Sequence, residues 1–489
     1  MPQTRPDTRI APTPPATPTR TWLVVLAACA GQFLVVLDVS VVNVALPSMR
    51  TDLGLSATGL QWVVNAYAIA FAGFMLLGGR AGDLFGRKRM FLVGLGLFTL
   101  ASLAGGFAQE GWQLLAARAV QGLGAAVLAP STLTILTSAV PEGAARARAI
   151  ATWTAVGAGG GAAGGLVGGA LTDSLSWRWV LLINVPVGAL VIAGAARWIT
   201  ESRAVARRRL DLPGAVLVTA GAATLAYGIV QTEAEGWTAA ATLVPLIAGL
   251  ALIALFLLVE ARTKTPLMPL KLFKVRSVAA ANAAMFVCGA GSFGMWFFMT
   301  LYAQNVLGYS PLGAGLALIP SSLSVVAGSK FAPRIMPVIG SRNVAVIGVL
   351  ITAVGFGWQS TMTAHGGYVT SIMLPGMVMM AGAGLAMTPL ASLATSGADP
   401  GDAGLVSGLV NTSRTLGGAL GLSVLSTVAA SRTHASTTPE ALTAGYALAF
   451  RWGGIILLAG VLVLMLWMPR GDTDRRTPVN SLDRAAGRR

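Results

Sequence analysis

Apolar stretches of about twenty residues recur along this chain from residue 22 to residue 467, each long enough to cross a hydrocarbon layer of roughly 30 Å at 1.5 Å per residue. In lipid a backbone must satisfy its own hydrogen bonds, so segments of this length fold as helices. Composition agrees, because a chain of 489 residues with 55% apolar and only 11% charged residues cannot cover itself with polar surface in water. The pattern predicts an all-α integral membrane protein. Its fourteen helices are expected near 22–44, 60–78, 90–108, 113–137, 147–171, 178–197, 213–231, 239–259, 278–303, 311–329, 343–362, 370–393, 403–430 and 447–468. The first twenty residues, rich in Pro and Thr, precede an apolar run too long for a cleaved leader and read as a disordered cytosolic tail.

The net charge of +16 raises nucleic acid as a partner, but the bases alternate from one connection to the next as membrane orientation requires. With both ends in the cytosol, Arg50, Arg178, Arg432 and Arg451 fall outside, Arg118 and Arg414 fall within spans, and the rest of the 34 bases lie on the cytosolic side. That excludes a nucleic-acid role, since basic loops beside a membrane need no other explanation. Cys29 and Cys288 sit in separate apolar spans, which argues against a disulfide or a metal site. His365 and His434 are both expected outside the spans. No span carries paired carboxylates, a metal cluster or a nucleophile motif, so neither an enzyme nor a cofactor is expected.

The string LGLSATG at 53–59 returns as LGYSPLG at 307–313, an offset of 254 residues that also takes Gly86 to Gly340. Two six-helix halves follow, with an inserted pair of helices between them. The organisation is a tail over 1–20, a first half over 21–200, a linker and inserted pair over 201–275, a second half over 276–469 and a cytosolic tail over 470–489. The basic linker reads as positive-inside anchoring.

Five strings stand out within this frame. LDVSVVNVALP at 37–47 contains Asp38, an acid well inside a span, where a carboxylate costs several kcal/mol unless paired or protonated. LLAARAVQGLGAA at 114–126 contains Arg118 and Gln121. The helix carrying Asp38 rises from the cytosol and lifts it roughly 24 Å, while the helix carrying Arg118 descends from outside and places it roughly 9 Å below the outer face. In a layer of roughly 30 Å the two levels coincide, so the pair can meet. Two roles fit: a permanent lock between helices, or a carboxylate held ionised by Arg118 and protonated once the two separate.

The string GRAGDLFGRKR at 79–89 links helices 2 and 3. It reads as a tight cytosolic hairpin, with Gly79 and Gly86 in its turns and Arg87 and Lys88 holding it at the membrane face. GAGGGAAGGLVGG at 157–169 carries a ladder, Gly160, Gly164 and Gly168, that permits close helix contact across the interface between the halves. SWRWVLLINVPVG at 176–188 places Trp177 and Trp179 in the outer aromatic belt and carries no assigned chemistry.

Together these strings resemble the motifs of the major facilitators, and specifically of the fourteen-helix EmrB/QacA branch of drug:proton antiporters. The resemblance covers nearly the whole chain. It implies the major facilitator fold and a substrate site at the interface of the halves near the midplane. It also implies that Asp83 gates the cytosolic side, with the positive end of a helix starting near 401–404 as its partner. Gly164, Gly168 and Gly169 match the antiporter motif, although Gly165 stands where that motif has proline.

Candidates for an apolar cavity with a few orienting groups are Asn43, Asn65, Tyr67, Gln121, Met295, Trp296, Phe297, Tyr302, Gln304, Asn411 and Arg414. Helices 9 to 14 hold no acid, so neutral, weakly basic or anionic aromatic compounds fit better than dications, and Arg414 is placed to receive an acidic group. The expectation is a monomeric, multi-pass exporter of lipophilic drugs or antibiotics in the bacterial plasma membrane, coupled to protons, in contact with lipid and conferring resistance. Export of a native lipid, siderophore or small metabolite fits the same motifs. A membrane sensor without transport fits less well, because the longest polar segments are two short tails.

Overall fold

A computed structural model of the chain describes residues 18–141, 143–202, 210–263, 265–395, 403–433 and 436–468. His434, the tail over 470–489 and nearly all of the tail over 1–20 lie outside the described residues. Among those described, all regular structure is helical. The first half comprises α1 (Pro18–Leu53), α2 (Ala57–Phe85), α3 (Arg87–Gly106), α4 (Gly111–Ala139), α5 (Ala144–Ser174), α6 (Trp179–Leu182) and α7 (Asn184–Trp198). The inserted pair is α8 (Leu212–Glu235) and α9 (Ala240–Arg262). The second half comprises α10 (Arg276–Leu301), α11 (Pro311–Ala317), α12 (Ile319–Ile339), α13 (Ser341–Gln359), α14 (Leu374–Thr395), α15 (Ala403–Thr433) and α16 (Pro439–Trp467). The short pieces α6 and α11 each continue into the next helix, broken only at Ile183 and Leu318.

The repeat extends from sequence to conformation. Ser56 caps α2 by accepting from the Gly59 amide at 3.0 Å, and Ser310 caps α11 by accepting from the Gly313 amide at 3.1 Å. The same offset relates Gly54 (φ +61°) to Gly308 (φ +69°), and Gly86 (φ +110°) to Gly340 (φ +81°), all backbone settings that favour glycine. Packing repeats as well. α1 lies on α5, α2 and α3 lie on α4, and α3 lies on α7; correspondingly α10 lies on α15, α12 and α13 lie on α14, and α13 lies on α16. Between the halves, α8 and α9 pack on each other, and α8 rests on both α2 and α15.

Among the described residues, twelve segments are long and apolar enough to cross a membrane. α5 and α15 are not in that set; they are 31 residues each, packed along α1 and α10, and interrupt their apolar runs with glycine and polar side chains. Several ends differ from the sequence expectation. α2 runs through Gly79 to Phe85, so Gly79 is helical and only Gly86 makes the turn. α12 reaches Ile339 past Pro333 and Pro337 instead of stopping near residue 329. α9 reaches Arg262 and thereby includes Glu260, one residue beyond the span expected to end at 259.

Candidate functional site

Asp38 on α1 is fully buried, and Arg118 on α4 is 2% exposed. Arg118 donates to Asp38 Oδ2 at 2.6 Å, so the acid and base expected at one depth do meet. Gln121, one turn further along α4 and on the same face, donates its amide to Asp38 Oδ1 at 2.7 Å. Its own oxygen accepts from Arg118 at 2.6 Å, which closes a three-membered ring of polar contacts. A third donor lies outside the sequence expectation: Asn184, the first residue of α7, gives its amide to the same Oδ1 at 2.9 Å.

The Ser102 hydroxyl on α3 accepts from Gln121 at 2.6 Å and from Asn184 at 3.2 Å, bringing a fourth helix into the cluster. Arg118 also donates to the Val63 carbonyl at 3.2 Å and lies 4.3 Å over the Tyr67 ring. A buried ion pair offsets its desolvation only when the remaining lone pairs and protons are satisfied, and here both carboxylate oxygens have donors. Removing one partner of such a pair costs about 3–5 kcal/mol because a buried charge is left alone. Two polar atoms nearby, Asn184 Oδ1 and the Tyr67 hydroxyl, are buried without a hydrogen-bond partner. The one sequence signal for Asn184 is its setting, a lone amide two residues before Pro186 in an apolar run.

At the other end of these helices, Asp83 in the last turns of α2 pairs with Arg87 at 3.3 Å, four residues along the same motif. Arg87 also meets the Ser138 hydroxyl of α4, and Lys88 donates to the Ala196 carbonyl of α7 at 2.7 Å. Glu201 caps α3 by accepting from the Lys88 and Arg89 amides, each at 3.1 Å. The motif thus fastens α2, α3, α4 and α7 together. Residues 396–402, which include Gly401 and most of the approach to the proposed partner of Asp83, lie outside the described residues.

The glycine ladder points the other way from the sequence expectation. A methyl added at Gly160 would meet Phe33 at 3.2 Å, at Gly164 Ser40 at 2.3 Å, and at Gly168 the Val41 backbone at 2.8 Å, so this row admits α1 of the same half. The adjoining row crosses to the other half. At Gly169 a methyl would stand 2.5 Å from Leu312 Cα; at Gly315 it would stand 2.0 Å from the Gly165 carbonyl oxygen. Gly165, which stands where the motif has proline, is therefore, with Gly169, a point at which α5 and α11 touch backbone to backbone. Just above it, Asp173 accepts from the Ser310 hydroxyl at 2.8 Å and from the Leu312 amide at 3.0 Å. Gln304 donates to the Val44 carbonyl at 2.8 Å, so the two halves are joined at this end in this structure.

The family model described as Major Facilitator Superfamily matches residues 28–422. The chain belongs to the Major Facilitator Superfamily. Among its relatives, this facilitator is 48% identical to the cephamycin export protein CmcT of Amycolatopsis lactamdurans, with 91% of each chain covered. It is 36% identical to the puromycin resistance protein pur8 of Streptomyces alboniger, again over 91% of each chain. In fold it is similar to the crystal structure of the POT family transporter PepTSo, with a TM-score of 0.70 and 15% identity over 93% of this chain and 98% of that one. It is a multi-pass membrane protein of a transporter family.

The facilitator scatters the cavity candidates. Asn65 bridges the halves by donating to the Ser423 hydroxyl at 2.9 Å, while Asn43 donates to the Val39 carbonyl of its own helix at 2.9 Å. Met295, Phe297 and Tyr302 belong to a buried apolar cluster that both halves share, in which Phe297 packs edge-on to Phe298 and Tyr302 donates to the Thr363 carbonyl at 2.7 Å. Trp296 is partly buried against that core. Tyr67 and Gln121 belong to the Asp38 cluster, and Gln304 joins the two halves through the Val44 carbonyl. Asn411 is exposed on α15, and Arg414, one turn on, is partly buried.

Proposed function

We propose that this facilitator exports lipophilic antibiotics or related drugs across the bacterial plasma membrane in exchange for protons, and so confers resistance. The observation that carries the coupling is the buried cluster in which Asp38 accepts from Arg118, Gln121 and Asn184. The similarity to an antibiotic export protein and an antibiotic resistance protein supports the direction and the substrate class. In this reading the chain crosses the membrane fourteen times with both termini in the cytosol, counting α5 and α15 with the twelve apolar segments.

The chemistry follows from differential stabilisation. Three donors hold the carboxylate ionised; pulling α1 from α4 or α7 removes donors while the site stays dry, and the neutral acid becomes the favoured form. Substrate binding or a rocking of the halves that strains the cluster exchanges a proton for drug. One proton crossing 100 mV supplies about 2.3 kcal/mol, which sustains roughly a fifty-fold concentration ratio. Asn411 and Arg414 on α15 are the residues assigned to the substrate side, with Arg414 suited to an acidic substituent.

The test is transport in everted vesicles. An imposed pH gradient drives uptake of a fluorescent drug by the native protein, and Asp38→Asn removes drug-induced proton movement. Proton coupling that persists undiminished in a folded Asp38→Asn protein overturns the assignment.

A further inference from the structure

The inserted pair α8–α9 takes no part in the export chemistry above, yet its cytosolic ends hold two buried acids. Asp211, immediately before α8, is 4% exposed, and Glu260, in the last turn of α9, is 2% exposed. Asp211 Oδ1 caps α8 by accepting from the Gly214 amide at 2.9 Å. Its Oδ2 accepts from the Leu267 amide at 3.3 Å, and Glu260 Oε2 accepts from the Met268 amide at 2.8 Å. Both carboxyls thus grip the loop that follows α9.

They also face each other. The two side chains lie within hydrogen-bonding reach, and a methyl added at Gly214 would stand 2.6 Å from Glu260 Oε1 and 2.9 Å from Asp211 Oδ2. Glu260 Oε1 is buried with no donor. Two ionised carboxylates so placed would repel each other and leave that oxygen unsatisfied; one proton between them removes both costs. The surrounding charges do not supply an alternative among the described residues. Arg262 on α9, Lys271 and Lys274 in the turn beyond the loop, and Arg276 on α10 are exposed. Arg80 on α2 is turned to the loop carbonyls, donating to Thr265 at 3.0 Å and to Pro266. A bound metal ion does not fit, because hard cations want six or more oxygen ligands and the Thr265 and Pro266 carbonyls of the loop are already committed to a cation, Arg80.

We infer that Asp211 and Glu260 bind one proton between them, and that this shared proton fastens the loop over 265–269 beneath Arg80 of the GRAGDLFGRKR motif. The loop is held from both sides. Its amides go to the acid pair, its carbonyls go to Arg80, and Leu267 between them is buried against Leu76 and Ala215. Loss of the proton sets the carboxylates against each other, frees the Leu267 and Met268 amides and releases the carbonyls from Arg80. The site is separate from the Asp38 cluster, so it stands or falls independently of the export reading.

The test uses the full chain in lipid nanodiscs. Infrared difference spectra between acid and alkaline buffer are expected to show a titrating carbonyl stretch of a protonated carboxylic acid. That band is expected to persist in Asp38→Asn and to vanish in Glu260→Gln. In parallel, spin labels at Phe85 and Lys271, both exposed, report the distance between α2 and the loop. That distance is expected to lengthen at alkaline pH in the native protein and to stay short at every pH in Glu260→Gln, whose amide donates the hydrogen bond permanently. An infrared titration unchanged by Glu260→Gln, a distance indifferent to pH in the native protein, or fastening that requires added sodium or calcium at fixed pH overturns the inference.

Discussion

Asn184→Ala isolates the contribution of the donor that spacing does not reveal. The substitution leaves the Arg118 pair at 2.6 Å and the Gln121 bond at 2.7 Å in place, and removes the 2.9 Å amide bond to Asp38 Oδ1. A hydrogen bond to a charged group contributes about 1.5–3 kcal/mol, and that stabilisation belongs to the ionised, paired state alone. At about 1.4 kcal/mol per tenfold, its loss disfavours the paired cluster by roughly ten- to a hundredfold relative to the separated one. The direction follows from which arrangement the amide serves: a donor to the paired Asp38 disappears, and α1 parts from α7 more readily. Spin labels on α1 and α7 of the protein in proteoliposomes are therefore expected to report a separated population larger by that factor. Ser102 loses one of two donors and keeps Gln121, so the fold is expected to persist. A distance distribution superimposable on the native one, in protein of native thermal stability, refutes the claim that Asn184 stabilises the paired cluster.

Gly315→Ala is expected to part the outer ends. Its methyl would stand 2.0 Å from a backbone oxygen that cannot swing aside, and overpacking of about 1–3 kcal/mol shifts the closed-to-open ratio by roughly five- to a hundredfold. Cysteine labelling from outside measures the shift; Gly165→Ala, whose methyl would sit 3.3 Å from the facing oxygen, is the milder control. Glu201→Ala uncaps α3 and is expected to lower the thermal midpoint of the purified protein by an amount equivalent to about 1 kcal/mol, with Glu201→Gln restoring part of it. An unchanged midpoint would show that water caps Lys88 and Arg89 equally well.

Depth is legible in the sequence because rise per residue is fixed along a helix, and this is why counting residues alone sets Asp38 and Arg118 at one level. Azimuth is not. Nothing in SWRWVLLINVPVG says which way Asn184 faces once the chain breaks at Ile183 and restarts as α7. The glycine row differs from expectation for the same reason: Gly164 and Gly165 are neighbours in sequence, but about 100° of helical turn sends one to α1 and the other to the opposite half. Gly79 permits a turn without requiring one, and α2 simply continues through it. Asp211 and Glu260 lie too far apart in sequence for spacing to pair them, and the basic run before Asp211 masks that acid in any count of local charge. The repeat, by contrast, is visible and exact in register, since the same cap and the same positive-φ glycines recur in both halves.

The placement of α8 against α2 and α15 makes the two sides of this protein unequal. Two long seams separate the halves within the bilayer, one where α2 meets α15 and one where α5 meets α11 and α12. The first is covered by α8, which packs on both of its helices; the second is held by the backbone contact of Gly165 with Gly315 and by the bonds of Asp173 to Ser310 and Leu312. Any rocking of one half on the other must therefore carry α8 along at the α2 seam, while at the α5 seam those close contacts have to part.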